Sequence, residues 1–219
     1  AIALDPNYAG AYRVLAHTYW MELPLGVTKD PRRSLARALE LAQKSIALDN
    51  SSGMSHSLLG WLYTIMRQHE KGVSECELGV ELEPNSAPAN LFLAMVLRFS
   101  GRHEEAIAMH HQAIRLDPIP ASIYYHTLSL TYSLAGRYEE AITEAKKSIR
   151  LEPNSMIPHI YLAIAYNQTG REDEARLEAK EVLRVNPKFS LEFWAKNLPF
   201  KHEADKDMVI GALRKAGLK

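Results

Sequence analysis

Nine histidines in a chain of 219 residues are the first place to look for chemistry, because imidazole ligates metals and moves protons near neutral pH. His103 and His110 are seven residues apart, so a helix would set them on one face, with His111 beside them. A metal site needs three or four converging ligands at set spacings, and neither an HExxH nor a CxxC pattern occurs. These histidines therefore read as packed core or interface side chains, and no metal is expected. Cys76, the one cysteine, reads as a buried and inert thiol rather than a nucleophile. No glycine-rich phosphate loop and no Gly-x-Ser-x-Gly elbow is present. The pairs Glu104-Glu105 and Glu139-Glu140 suit the opening turns of helices, where negative charge meets the positive end of the dipole. Asn167-Gln168-Thr169 fits a glycosylation sequon, a tripeptide that also arises by chance. No catalytic residue and no cofactor is expected, and the chain itself reads as non-enzymatic.

Composition narrows the partners. Lys plus Arg and Asp plus Glu both number 26, so no net field draws the chain to nucleic acid or an anionic membrane. Charge or proline interrupts every apolar run before the ~18 residues that would span a bilayer. A single cysteine fits a reducing compartment, and a cytoplasmic location is expected.

Punctuation recurs along the chain at Pro6, Asn50, Pro84, Pro118, Pro153 and Pro187, with spacings of 44, 34, 34, 35 and 34. In register with it run Leu15, Leu59, Leu93, Leu128 and Leu162, each followed by a small residue: Ala16, Gly60, Ala94, Ser129 and Ala163. A second small position holds Ala38, Gly72, Ala106, Ala141 and Ala175, and Tyr19, Tyr63, Tyr132 and Tyr166 share a third column with Leu97. This 34-residue pattern resembles the tetratricopeptide repeat family across residues 1–189. The resemblance implies an all-α fold: a right-handed superhelical solenoid of helix-turn-helix repeats with C-terminal capping helices. It divides the chain into the end of a preceding repeat (1–8), a repeat with a ten-residue insertion (9–52), repeats at 53–86, 87–121, 122–155 and 156–189, and the capping helices (190–219). Since Ala1 to Pro6 match the close of a repeat, the chain is expected to begin inside an earlier one and to come from a larger protein.

Physical roles follow from the columns. Small side chains let the two helices of a repeat approach closely, while Leu and Tyr fill the space between them. Gly101, Gly136 and Gly170, each followed by Arg, sit where the first helix must stop and can take a left-handed conformation there. Pro84, Pro118, Pro153 and Pro187 end the second helices. Three columns depart from pattern, with Asn50 for Pro, Arg67 for the turn Gly and Val182 for a small residue. The insertion, MELPLGVTKDPRRS at 21–34, is expected to be an exposed turn ending at Asp30-Pro31, an N-cap followed by proline at the first helical position.

Beyond Phe189 the period stops. SLEFWAKNLPF reads as a short helix cut off at Pro199, and EADKDMVIGALRKAGLK as a longer amphipathic helix with Met208, Val209, Leu213 and Ala216 on one side, sealing the last repeat. Phe189-Ser190, Trp194-Ala195, Leu198-Pro199-Phe200, the acidic stretch Glu203 to Asp207 and Leu213 to Leu218 resemble the carboxyl-terminal tail of bacterial class III adenylate/guanylate cyclases that carry such repeats. The resemblance implies a parent enzyme with its catalytic domain upstream, and it brings no catalytic residue to this chain.

In the repeat family the concave face is built mainly by positions two, five, nine and twelve of each first helix. Carried over, these give a candidate binding face of Arg13, His17, Trp20, Met54, Trp61, Leu91, Met95, Arg98, His126, Leu130, Ile160, Ile164 and Asn167. The Lys and Asn with which some family members clamp a terminal carboxylate are absent. The face is instead apolar, with aromatic and Met side chains suited to an amphipathic helix or an extended apolar segment. Trp20 and Trp61 are the expected anchors and Arg98 their polar partner, whereas Met95, Leu130 and Ile164 either face the groove or pack between neighbouring first helices. The function expected is a protein-interaction scaffold for a peptide, a helix or a second copy of itself. Self-association would use the edge at 1–6 or the insertion.

Overall fold

The computed structural model describes residues 1–25, 28 and 30–219, and of residues 23–25 the backbone alone. Among the described residues there are twelve helices and no strand: α1 (Ala9–Leu25), α2 (Pro31–Leu48), α3 (Gly53–Ile65), α4 (His69–Leu82), α5 (Ala87–Phe99), α6 (His103–Leu116), α7 (Ser122–Leu134), α8 (Tyr138–Leu151), α9 (Met156–Gln168), α10 (Glu172–Val185), α11 (Leu191–Asn197) and α12 (Glu203–Lys215). They fall into two compact units, Ala1–Val96 and Leu97–Lys219. In the first, α1 packs on α2 and α3 on α4, with α2 and α1 both touching α3. In the second, α7 pairs with α8 and α9 with α10, while α6 meets α7 and α9 meets both α7 and α8.

The turn within each helix pair has one design. The N–H groups of Gln68, Arg102, Arg137 and Arg171 reach back to the carbonyls of Tyr63, Leu97, Tyr132 and Tyr166 at 2.8–3.0 Å. This satisfies a carbonyl that the last helical turn leaves open, and it requires a left-handed residue just before the donor. Gly101, Gly136 and Gly170 supply it with φ of 82°, 76° and 75°, and Arg67 is forced into the same region at φ 62°. Each second helix stops two residues ahead of its proline, at Leu82, Leu116, Leu151 and Val185. Proline's missing N–H and its ring forbid a further turn.

Helix contact is close where the small columns meet. Ala16, Ala38, Ala94, Ala106, Ala141, Ala163 and Ala175 are wholly buried. In the α3/α4 pair the approach is tightest: a methyl on Gly60 would lie 2.6 Å from both the Gly72 carbonyl and the Cys76 sulfur. Hydroxyls tie helices together elsewhere, Ser45 donating to the Ala9 carbonyl at 2.9 Å, Ser129 to that of Ala141 at 2.8 Å and Ser148 to that of Ser122 at 3.1 Å.

The insertion differs from expectation. Nothing in Met21-Glu22 stops a helix, so α1 runs on to Leu25 and is 17 residues long against 13 for α3, α5, α7 and α9. Residues 26, 27 and 29 of the expected turn lie outside the described residues. α2 begins at Pro31, with the Asp30 carboxylate accepting the Arg33 N–H at 3.1 Å. Ser34 donates to Glu22 at 2.8 Å, joining the extended end of α1 to the start of α2.

The tail does more than close the last pair. α12 lies along α9 with Val209, Ala212 and Leu213 buried, as are Ala216 and Leu218 just after it. Ahead of it the extended stretch Leu198-Pro199-Phe200 is buried, and Leu177 and Leu183 on α10 remain exposed.

Candidate functional site

In the first unit, α1 and α3 present the predicted residues side by side. His17 is exposed, Arg13, Trp20 and Met54 are half-buried, and Trp61 is only 6% exposed. The three rings form an edge-on chain, His17 to Trp20 at 5.2 Å and Trp20 to Trp61 at 5.8 Å, which is the favoured geometry for aromatic quadrupoles. Trp61 thus holds Trp20 from below, and Trp20 is the indole that meets solvent. Partial burial, and then the nearby Arg13 charge, hold the His17 pKa below its ordinary value, favouring a neutral ring. Leu91 and Met95 on α5 are buried.

The predicted residues of the second unit are closed off. Leu130, Ile160 and Ile164 are wholly buried, Asn167 is half-buried, and α9, which carries three of these, lies between α7 and α12. Arg98 is 2% exposed. Its guanidinium donates to the Thr127 carbonyl at 3.0 Å and sits 4.4 Å from the centre of the Phe99 ring, while its Nε finds no acceptor. Among the described residues no carboxylate is paired with it, and burial holds its pKa below the ordinary arginine value. His126 lies 6.0 Å from the Tyr161 ring; its Nδ1 is 3.4 Å from the Ser148 hydroxyl. Burial, with Arg98 nearby, pushes its pKa down to about 3.

A further set of contacts is absent from the sequence reading. The Phe200 ring meets Phe99 edge-on at 5.0 Å, the Lys201 N–H donates to the Phe99 carbonyl at 2.9 Å, and Asp205 pairs with His103 at 3.2 Å. The His202 ring rests on Gly101, where a methyl group would overlap it. The tail therefore docks on the end of α5 and the turn after it. Repeat register says nothing about where a non-repeating tail goes; the one available signal was an aromatic residue directly after a proline in an otherwise polar connection.

The remaining candidates are structural. His110 is fully buried, its Nε2 is 3.0 Å from the Thr131 hydroxyl, and its pKa is driven well down by burial and then by Arg98. His111 meets the Tyr132 hydroxyl at 2.8 Å. Cys76 is buried with its thiol directed at the Ser57 carbonyl, 3.4 Å away, and burial pushes its pKa up, so the reactive thiolate is suppressed. Among the described residues no three of His, Cys, Asp and Glu converge as a metal site, and no helix is long and apolar enough to cross a membrane.

Comparison with known proteins agrees with this architecture. A family model described as tetratricopeptide repeat matches residues 85–154. The transcriptional regulator HilA of Salmonella typhimurium is 28% identical over 131 residues, covering 60% of this chain but 24% of HilA, so the match spans about a quarter of that relative. Among solved structures, PilW, a type IV pilus biogenesis factor, superposes with a TM-score of 0.70 at 16% identity over 95% of this chain and 88% of PilW. A thermophilic tetratricopeptide repeat protein of Thermus thermophilus, TTC0263, gives 0.65 at 20% identity over 82% of this chain and 96% of its own. MamA gives 0.57 at 23% identity over 72% and 91%. Residues 85–154 are thus tetratricopeptide repeat sequence, and the chain carries the tetratricopeptide repeat fold.

Proposed function

We propose that this chain is a non-catalytic protein-interaction scaffold whose first unit takes an apolar peptide or helix on the face formed by α1 and α3. The observation that carries the reading is Trp20: half-buried, braced edge-on by Trp61 and flanked by His17. A rigid indole that keeps one edge in water is a side chain enriched in binding hot spots. The corresponding apolar positions of the second unit are buried, which leaves the first unit as the open one. A twelve-residue peptide library displayed on phage and panned against the chain tests this. Recovered peptides should be rich in apolar residues and lose at least tenfold affinity for Trp20→Ala, with the melting temperature nearly unchanged. Peptides that bind the variant as well as the parent would refute the assignment.

A second reading concerns a longer protein. The tail resemblance at 189–218 supports a class III cyclase bearing this chain as its regulatory part, in the cytoplasm, and an upstream domain with paired metal-binding aspartates would establish it. An upstream sequence of further repeats alone would exclude it.

A further inference from the structure

Arg13, His17 and Trp20 fall at i, i+4 and i+7 of α1, which sets them along one stripe of the helix. Contacts along the stripe agree: the Arg13 charge acts on His17, and the His17 ring meets that of Trp20 at 5.2 Å. The half-buried Arg13 guanidinium is unusual in its isolation. On second helices, Arg37, Arg176 and Arg184 each hold a carboxylate three or four residues away, at Glu40, Glu172 and Glu181. The residues three and four from Arg13 on either side are Ala9, Gly10, Ala16 and His17. α1 has no acidic residue before Glu22, which already accepts from Ser34, and α3, which braces Trp20 through Trp61, contains no Asp, Glu, Lys or Arg. Among the described residues the Arg13 guanidinium therefore makes neither a hydrogen bond nor an ion pair. With His17 held neutral, it is the one cation of the stripe at neutral pH.

We propose, resting on the reading of α1 and α3 as a peptide-binding face, that Arg13 determines which peptides bind there: the bound segment carries a side-chain carboxylate for Arg13 at about 10 Å from the apolar side chain that meets Trp20. The distance is seven residues of α-helix at ~1.5 Å each. A helical segment matches it with acid and anchor seven residues apart. A polyproline-like segment matches it with the two placed three apart, since its threefold turn returns side chains to one face and rises ~3.1 Å per residue. The guanidinium accepts such a carboxylate through two parallel N–H groups, which fixes register as well as adding affinity. Trp20 supplies the apolar contact and Arg13 the choice among apolar partners, because a segment with a cation at the same place meets like charge.

Panning a displayed twelve-residue library against the full chain, once with the parent and once with Arg13→Glu, tests the inference. Peptides selected on the parent should carry Asp or Glu three or seven residues from an aromatic or large aliphatic residue, and those selected on Arg13→Glu should carry Lys or Arg there. A parent-selected peptide is then synthesised with acetyl and amide ends, which removes any terminal carboxylate, and its binding is read by fluorescence anisotropy. Replacing its acid by Gln should cost about fivefold in affinity, the upper end for a pair that is not fully buried. The same replacement should cost nothing against Arg13→Gln, and most of the loss should return against Arg13→Lys. Peptides that depend on Trp20 but show no acid at this spacing would overturn the role of Arg13 and leave the apolar face standing. So would an acid whose replacement costs the same with and without Arg13, or a peptide that binds only with a free C-terminus. Peptides indifferent to Trp20→Ala would remove the face itself, and this inference with it.

Discussion

Acid should loosen the second unit through His110, and the size of the effect follows from its surroundings. The imidazole is wholly buried, shares a hydrogen bond with the Thr131 hydroxyl through its Nε2, and has its pKa driven well below 6.5 by desolvation and then by the Arg98 charge. The unfolded chain takes up a proton at this residue near pH 6.5, and the folded chain does not. Stability is therefore present above that value and lost as pH falls through it. From pH 7.5 to 5.0 one such histidine removes about 2 kcal/mol, at about 1.4 kcal/mol per pH unit below the unfolded pKa. His126, held at about 3, adds a comparable loss over the same interval. His159 acts in the other direction: its hydrogen bond to Glu178 at 2.6 Å raises its pKa, so its contribution is present in acid and is lost as pH rises. Exposed carboxylates with lowered pKa, such as Glu105 and Glu140, lose their contribution only below about pH 4.5 and stay outside the interval. The test is urea unfolding followed by circular dichroism at the two pH values for the parent and His110→Gln, whose amide keeps a donor for Thr131. The variant should lose about 2 kcal/mol less on acidification than the parent. Identical losses in the two proteins would refute the account, because they would show that His110 titrates alike in both states.

Three further outcomes are expected. Arg67→Gly places the permitted residue in the left-handed position of the first unit's turn and should raise stability by up to about 1 kcal/mol, read from the urea midpoint. Gly60→Ala forces a methyl against the Gly72 backbone and should cost about 3 kcal/mol, whereas Gly211→Ala, mid-α12 with nothing within 4 Å, should gain about 1 kcal/mol from helix propensity; thermal unfolding distinguishes the two. Gly101→Ala and Gly136→Ala carry the same backbone strain, at φ of 82° and 76°, but only the first collides with His202, so only the first should speed hydrogen exchange in α12.

The repeat architecture was legible because it is written in residue size at fixed spacing. Ala16, Gly60, Ala94, Ser129 and Ala163 announce a close helix crossing wherever they recur, and glycine before arginine announces a turn with positive φ. The extended end of α1 was not legible because the repeat register shows where the excess residues fall and not how they fold: the whole of 21–30 was expected as a turn, whereas the helix continues to Leu25. The candidate face was legible as a set of positions and not as a surface. Position twelve holds Trp20 in one repeat and Arg98 in another, and whether such a side chain meets water depends on what lies above it. Arg98 is instead 2% exposed and bonded to the Thr127 carbonyl, and next to it the tail docks on Phe99 and His103 through Phe200 and Asp205, a contact that no column of the repeat encodes.

Cys76 turns the tight contact between α3 and α4 into a clock. It is the single thiol of the chain, wholly buried, with its sulfur 2.6 Å from where a methyl on Gly60 would be, and its ionisation is suppressed by the same burial. An alkylating reagent can reach it only when these helices part. The labelling rate at saturating reagent then equals the opening rate of the first unit alone, and at low reagent concentration it reports the population of the open form. The second unit holds no thiol, so the labelling signal times the first unit without any contribution from the second and without introducing any probe.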